Sequence, residues 1–368
     1  MDEALYWFWL ADAVGSGYAW ANLLLTLYPS PRRFYEYLRQ GGEAPPCLTP
    51  RAMQRLAETE PADYQRRLEQ CIRAGIAVLV PEDPDYPDRF RELADCPIVL
   101  YATGSTACLN GGRYVGMVGT RRPTAYGARA CHDLSLELAR AGVTIVSGLA
   151  DGLDGQGHRA SAEAGAPTVA FLGTAIDKTY PASNARLRLQ IERELGGAVV
   201  SEYPPGYPGR QKGTFLARNR LIAGLSEVLC ISEARAKSGT MNTVEHAERY
   251  GRPVMAVPGS IFSPVSQGTN ELLRSRRAGV LTQAGDVLSL LGMDPGAQTP
   301  AALPAPDLEA LSPDARAVLA VLGPQAQTVD AIRAAAGLPV QKVLAALTEL
   351  EFAGAATAAP GQLYTAGV

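Results

Sequence analysis

The sequence predicts an α/β fold with a doubly wound, mostly parallel sheet, and two observations carry most of that prediction. Between Tyr114 and Val257 short, near-continuous apolar runs recur at intervals of about one helix: Tyr114–Gly119, Val143–Ser147, Thr168–Leu172, Ala198–Glu202, Glu227–Ser232 and Pro253–Val257. Strands apolar on both faces belong to a sheet covered on both sides by helices. The second is that several of these runs end in loops rich in glycine, serine and threonine, the place where such folds hold ligands against helix N-termini. A composition of 47% hydrophobic and 19% charged residues over 368 positions gives room for two or three cored domains.

Taken in order, residues 1–64 read as a small helical domain. Apolar residues fall at helical spacing from Leu5 to Leu10, Tyr18 to Leu27 and Phe34 to Leu38, interrupted by Gly15-Ser-Gly17, Pro29-Ser-Pro31 and Pro45-Pro46. Its aromatic residues, Trp7, Phe8 and Trp9 among them, fill a core or form a protein contact. Residues 65–293 form the sheet domain. A helix to Ala74 leads to strands Ile76–Val80 and Ile98–Tyr101, and then helices Ala125–Ala141, Leu153–Ala164, Ala182–Leu195, Phe215–Ala223 and Met241–Tyr250 alternate with the runs above. Residues 294–311, rich in proline and alanine, read as a linker. In residues 312–368 helices Asp314–Leu322, Val329–Ala336 and Val340–Leu350 precede a hairpin broken at Pro360-Gly361, the pattern of a winged helix. Its third helix sets Lys342 against Glu349 and Glu351, which offers DNA phosphates little attraction and favours a protein-contact or structural role.

Formal net charge is −3 and the pI about 5.8, so bulk charge does not mark a nucleic-acid binder. The charge is unevenly spread, because only residues 61–306 are net positive, with 26 Lys and Arg against 24 Asp and Glu. The six cysteines lie far apart, without C-x-x-C or histidine at metal spacing, so neither zinc nor a disulfide framework is expected. No basic leader precedes the apolar N-terminus and no apolar run reaches membrane-spanning length, so a cytoplasmic protein is expected.

Between Glu202 and Glu227 no acidic residue occurs, while Arg210, Lys212, Arg218 and Arg220 surround Phe215. Cations for phosphates beside a ring for a base are what single-stranded nucleic acid needs. The same letters also fit a basic helix with its apolar face buried. Three loops can seat anions. Gly116–Gly127 lacks the dinucleotide fingerprint and places Arg121 and Arg122 where a backbone would approach pyrophosphate, so a guanidinium grips a phosphate there or pairs with a carboxylate. Ser147–His158 holds four glycines whose amides can face an anion, and its Asp151, Asp154 and His158 read as helix-capping residues rather than a metal site. In Glu233–Glu245, Ser238, Gly239 and Thr240 open a helix, as an anion seat or an ordinary cap. No nucleophile elbow, phosphate-loop lysine or Cys–His pair is present, so no known catalytic mechanism is spelled out.

These motifs together resemble one family. Val118-Gly-Thr-Arg121, Ile145-Val-Ser-Gly-Leu-Ala150 with Gly152-Leu-Asp154 and His158, Tyr180-Pro181, Ser201-Glu202, Phe215-Leu-Ala-Arg-Asn-Arg220, Ser238-Gly-Thr240, and Val257-Pro-Gly259 with Gly268-Thr-Asn270 are similar to the DNA-processing protein A (DprA/Smf) family over roughly residues 75–290. The resemblance implies an extended Rossmann-like domain, flanked by a SAM-like helical domain and a winged helix. It implies a non-enzymatic recombination mediator without a cofactor, which dimerises, protects single-stranded DNA and helps load RecA recombinase in natural transformation and repair. The DNA-binding residues it implies here are Arg121, Lys212, Phe215, Arg218, Asn219 and Arg220. The loop readings add Ser147, Gly148, Lys237, Ser238, Gly239 and Thr240. Where the family has Gly-Ile-Asp followed by Ala-His, this chain reads Gly152-Leu-Asp-Gly-Gln-Gly-His158. The alternative is a nucleotide phosphoribohydrolase of the lysine-decarboxylase-like type, to whose Gly-Gly-x-Gly-Thr-x-x-Glu loop Thr240–Glu245 is weakly similar; Lys237-Ser238 stand where its paired glycines belong. For dimerisation, Gly224–Ile231 is one candidate surface.

Overall fold

The computed structural model describes residues 2–208, 212–293, 311–323, 325–352, 355–359 and 363–366. The expected linker lies, apart from Leu311, outside the described residues, as do Arg210 and the Pro360-Gly361 break. The chain divides into two compact units, residues 1–298 and 299–368.

The first unit begins with helices α1 (Glu3–Val14), α2 (Ala21–Leu27), α3 (Pro31–Arg39), α4 (Pro50–Glu58) and α5 (Gln65–Arg73). Asp2 caps α1 by accepting the Ala4 amide. Leu5 through Leu10 are all buried, so the middle of α1 has no solvent face and acts as the core of its neighbours. That core does not stop at residue 64. Phe8 stacks on Tyr101 of the sheet with ring centroids 5.8 Å apart, and Trp7, Phe34, Phe90 and Phe171 belong to one continuous apolar cluster. The helical segment expected as a separate domain therefore shares the sheet's core.

Next come β1 (Ala77–Leu79), α6 (Asp88–Arg91), β2 (Leu100–Gly104), β3 (Arg113–Val118), α7 (Ala125–Arg140), β4 (Val143–Ser147), α8 (Leu153–Glu163), β5 (Thr168–Leu172), α9 (Ala185–Arg193), β6 (Ala198–Ser201), α10 (Lys212–Leu225), β7 (Val228–Ile231), α11 (Gly239–Arg249) and β8 (Val254–Ala256). Helix α12 (Gln267–Arg274), strand β9 (Gly279–Val280) and α13 (Ala284–Leu290) close the unit. The strands form one sheet in the order β1-β2-β6-β5-β4-β3-β7-β8-β9. From β6 to β9 all pairs are parallel, while β2 runs antiparallel to β6 and β1 to β2. Alternation along β3 shows why its run is apolar throughout: Tyr114 and Val118 join the cluster on one face, Val115 and Met117 the cluster on the other. The doubly wound, mostly parallel sheet is thus present. After β6 the chain crosses back to add β7 on the far side of β3, so the connections of β3 and β7 diverge and open a crevice above their C-terminal ends.

Gly224–Ile231, considered as a dimerisation surface, is not one. Leu225, Val228, Leu229 and Ile231 are at most 1% exposed, because β7 is an internal strand.

The second unit contains α14 (Pro313–Leu319), β10 (Gln327–Thr328), α15 (Val329–Ala336), α16 (Val340–Phe352), β11 (Ala356–Ala359) and β12 (Leu363–Ala366), with sheet order β10-β12-β11. This is a winged helix. Glu349 accepts bonds from the Ser312 amide and hydroxyl at 2.7 Å each, and Lys342 pairs with Asp314 at 3.0 Å. Lys342 and Glu349 of α16 are therefore engaged within the unit.

Candidate nucleic-acid interface

A cleft of about 510 Å³ occupies the crevice at the β3–β7 switch. Its walls are the loop after β3, the start of α8, Tyr180, the first turns of α10, and the loop from β7 into α11. The loop after β3 is held by the Thr120 amide, which donates to the Glu233 carbonyl at 2.8 Å, and by the Leu153 amide, which donates to the Thr120 carbonyl at 3.2 Å. Gly152 makes that packing possible. Its φ is +78°, and a Cβ there would lie 2.4 Å from the Thr120 carbonyl oxygen.

Arg121 is exposed on this loop, with its guanidinium carbon 5.6 Å from the centre of the Phe215 ring. Phe215 is half-buried and also meets Tyr180, centroids 5.6 Å apart. Gly173 lets the ring sit there, because a Cβ would come within 2.7 Å of Phe215 Cδ1. Thr214 fixes the start of α10 by donating its hydroxyl to the Gly173 carbonyl at 2.6 Å. The result is a cation over one aromatic with a second aromatic beside it, in a pocket open to solvent. Among the described residues Arg121, Arg122, Arg235 and Lys237 form no ion pair, although Arg121 does act on the nearby Asp154.

The glycine loop after β4 is corrected by its geometry. Ser147 is fully buried and donates its hydroxyl to the Met117 carbonyl at 2.5 Å, so it offers nothing to a ligand. The amides of Gly148 and Ala150 act on an anion of the chain itself, the carboxylate of Asp154, whose charge they favour. Asp154 is buried, and its desolvation raises its pKa against the pull of Arg218, Arg121 and these amides. Asp154 thus seals the loop from within, and Ser147-Gly148 is no phosphate seat.

Arg218 is corrected likewise. It is 4% exposed and donates Nη1 to the carbonyl oxygens of Gly148, at 2.7 Å, and Phe171. Burial lowers its pKa to about 10, with Asp154 resisting. It underlies the cleft floor and does not line an outer rim. Arg220 lies outside the cleft altogether. It is 2% exposed and ion-paired with Glu202, burial opposing its charge while Glu202 and Asp95 more than restore it. Asn219 faces the cleft and donates to the Gly239 carbonyl at 3.2 Å and to Asn242 Oδ1 at 3.3 Å, tying α10 to α11.

In the loop after β7, Ser238 holds the N-cap position of α11 without a side-chain cap bond, and its buried hydroxyl oxygen has no partner. Ser238, Gly239 and Thr240 line the cleft, where the first amides of α11 end. Lys237 is exposed but does not line it, whereas Arg235 does. Arg235 and Tyr180 are among the cleft residues that the sequence reading did not place in the site. Both stand in segments it had singled out, but which side chain of a loop turns inward depends on contacts the letters do not show. Lys212 begins α10; its side chain lies outside the described residues. His158 is a core residue, bonded through Nδ1 to Thr168 Oγ1 at 2.8 Å, and burial lowers its pKa to about 3. Among the described residues no cluster of His, Cys, Asp and Glu could hold a metal ion, and no helix is long and apolar enough to cross a membrane.

A switch-point cleft that joins an exposed guanidinium, two neighbouring rings and a helix N-terminus marks a Rossmann-type domain with its ligand crevice at the sheet's C-terminal edge. The family model of DNA recombination-mediator protein A matches residues 77–292, and that of the DprA winged helix domain matches residues 300–362. Protein Smf of Escherichia coli is 36% identical, covering 77% of this chain and 76% of its own. The X-ray structure of DNA processing protein A from Streptococcus pneumoniae superposes with a TM-score of 0.63 at 29% identity, covering 77% of this chain and 97% of that one. DNA processing protein A from Helicobacter pylori, whose structure concerns a single-stranded DNA binding mode, superposes at 0.53 with 33% identity over 59% of this chain and 95% of its own. The chain belongs to the DprA/Smf family of DNA-processing proteins.

Proposed function

We propose that the switch-point cleft binds single-stranded DNA, and that the protein is a recombination mediator which shields incoming strands and helps place RecA recombinase on them in natural transformation and repair, acting as a homodimer and without catalysis of its own. The observation that carries the reading is the exposed Arg121 guanidinium 5.6 Å from the half-buried Phe215 ring, inside a cleft whose one carboxylate, Asp154, is pinned by its own chain. A phosphate meets Arg121 and the open amides of α11, and a base meets the rings of Phe215 and Tyr180. The solved Helicobacter pylori relative, described with single-stranded DNA binding, supports the same choice of ligand. The phosphoribohydrolase reading has less behind it, because Glu245 is exposed and is not among the residues lining the cleft.

The test is a titration of fluorescent oligo-dT and of a duplex of equal length, with AMP incubated in parallel. The reading expects tight, salt-sensitive binding of the single strand, weaker binding of the duplex and no released adenine. Adenine release, or indifference to the single strand, would overturn it.

A further inference from the structure

Beyond the cleft, the loop that follows β8 carries the most exposed apolar residues of the protein's described part: Phe262 is 89% exposed and Ile261 77%. Scattered exposed apolar residues need no explanation. A pair on the crown of a pinned turn is different. Asn270 clamps the base of the loop, accepting the Gly259 amide at 3.1 Å and donating to the Gly259 carbonyl at 3.0 Å. Tyr126, at the start of α7, ties the loop from the other side by donating its hydroxyl to the Pro258 carbonyl at 2.8 Å. The Ser263 amide closes the crown on the Ser260 carbonyl at 3.0 Å. This explains why Val257-Pro-Gly259 and Gly268-Thr-Asn270 occur together: they build one rigid support that holds two apolar side chains in water.

The support stands at the same edge of the sheet as the cleft. Strands β3, β7 and β8 are neighbours, so the end of β8 lies two strand spacings, roughly 10 Å, from the end of β3. Between them a shallow, mostly apolar second cleft of about 490 Å³ is lined by Thr124, Tyr126, Pro258, Ser260, Ser263 and the buried Glu233, whose carboxylate is occupied by the Thr124 amide at 2.9 Å and hydroxyl at 2.6 Å. Arg121 and Arg122, both exposed and without an ion pair among the described residues, stand on the loop that leads from the first cleft to Tyr126. Cations flanked by flat apolar platforms suit a polynucleotide that leaves one base pocket and enters another.

We propose that Phe262, with Tyr126, forms a second base-stacking platform for the same single strand, reached across Arg121 and Arg122. The proposal rests on the single-stranded DNA reading of the first cleft and adds a direction of travel: the strand runs across the β3, β7 and β8 ends, towards the β8 side of the sheet.

The experiment compares wild type, Phe262→Ser and Arg122→Ala by fluorescence anisotropy with oligo-dT of about four and about twenty nucleotides. Light scattering follows oligomeric state, and a Phe262→Trp variant reports contact by quenching. The proposal expects Phe262→Ser to weaken binding of the long oligonucleotide about tenfold, the scale of one stacked base, with the short one within twofold of wild type. Arg122→Ala lowers the salt slope for the long strand by about one. In Phe262→Trp the long strand quenches the emission of the introduced indole, which the short one leaves unchanged. Equal affinity of Phe262→Ser and wild type for the long strand would overturn the second platform alone. A shift in oligomeric state without a change in DNA affinity would overturn it in favour of self-association through this loop. Failure of wild type to bind either oligonucleotide would overturn the first cleft's reading and this one with it.

Discussion

Phe215 and Arg218 are three residues apart on α10 and do opposite work. The ring is half-open to the cleft, while the guanidinium beneath it binds backbone carbonyls and balances buried Asp154. Removing the guanidinium leaves the Gly148 and Phe171 carbonyls without their donor, at a cost of about 1–3 kcal/mol. Arg218→Ala should therefore appear first as lost stability, with its urea midpoint well below that of wild type. Unchanged stability would mean that Arg218 is not the internal strut described. Acid should act through a different residue, His158. Its folded pKa near 3 lies below the 6.5 of an open chain, burial being the main cause. Between those values the unfolded chain takes up a proton that the folded chain refuses. The stability held by the neutral ring is thus full above about pH 6.5 and drains away as pH falls towards 3. The urea midpoint should drop from pH 7 to pH 5. In His158→Gln, which keeps an N–H for Thr168, that drop should shrink by about one proton's worth, while His246, lowered to about 4, retains part of the slope.

At the scale of the element, α10 is the piece the site is hung on. Thr214 ties its start to Gly173, Asn219 ties its middle to α11, and Arg220 is locked to Glu202 at the end of β6. Arg220→Ala should destabilise the fold by about 3–5 kcal/mol yet leave the salt slope of DNA binding unchanged, since its guanidinium does not reach the cleft. A slope lowered by one in this variant would return Arg220 to the binding surface. The sequence showed that Phe215–Ala223 is helical but not that Arg218 and Arg220 turn inward. A helix packed against sheet, α6 and α11 has almost no solvent face, so the usual inference from charge to exposure fails there. The glycine loop failed for a related reason. Its amides were expected to seat a phosphate, whereas Asp154, a few residues beyond the serine-glycine-leucine-alanine run, is the charge they act on. By contrast the strands were readable almost to the residue, because β4 and β5 must be apolar on both faces and nothing else in the chain looks like that.

For the whole molecule, the change from helical spacing to alternating helices and strands after residue 64 suggested a boundary that the packing does not respect. Aromatic side chains of α1 continue directly into the sheet's core, and a sequence shows periodicity within segments but not which segments share a core. Deleting residues 1–64 should strip the cover from Tyr101 and its neighbours and lower the melting temperature of the remainder or drive it to aggregate. Deleting residues 299–368 should leave the main calorimetric transition where it was, because those residues form a unit of their own. A fully stable chain starting at residue 65 would show that the N-terminal helices are an accessory after all. The antiparallel direction of β1 and β2, which were themselves expected as strands, and the late elements α12, β9 and α13 escaped the sequence reading: short strands do not declare their direction, and β9 spans only two residues.

The central claim, that an acidic protein takes a single strand through one guanidinium, one ring and a helix end at the β3–β7 switch, is tested most directly by anisotropy of oligo-dT through a salt series. Phe215→Ala should bind about one to two orders of magnitude more weakly with an unchanged salt slope, as loss of a stacked base worth ~1–3 kcal/mol requires, whereas Arg121→Ala should lose about one unit of that slope. Two variants indistinguishable from wild type in both affinity and slope would contradict it.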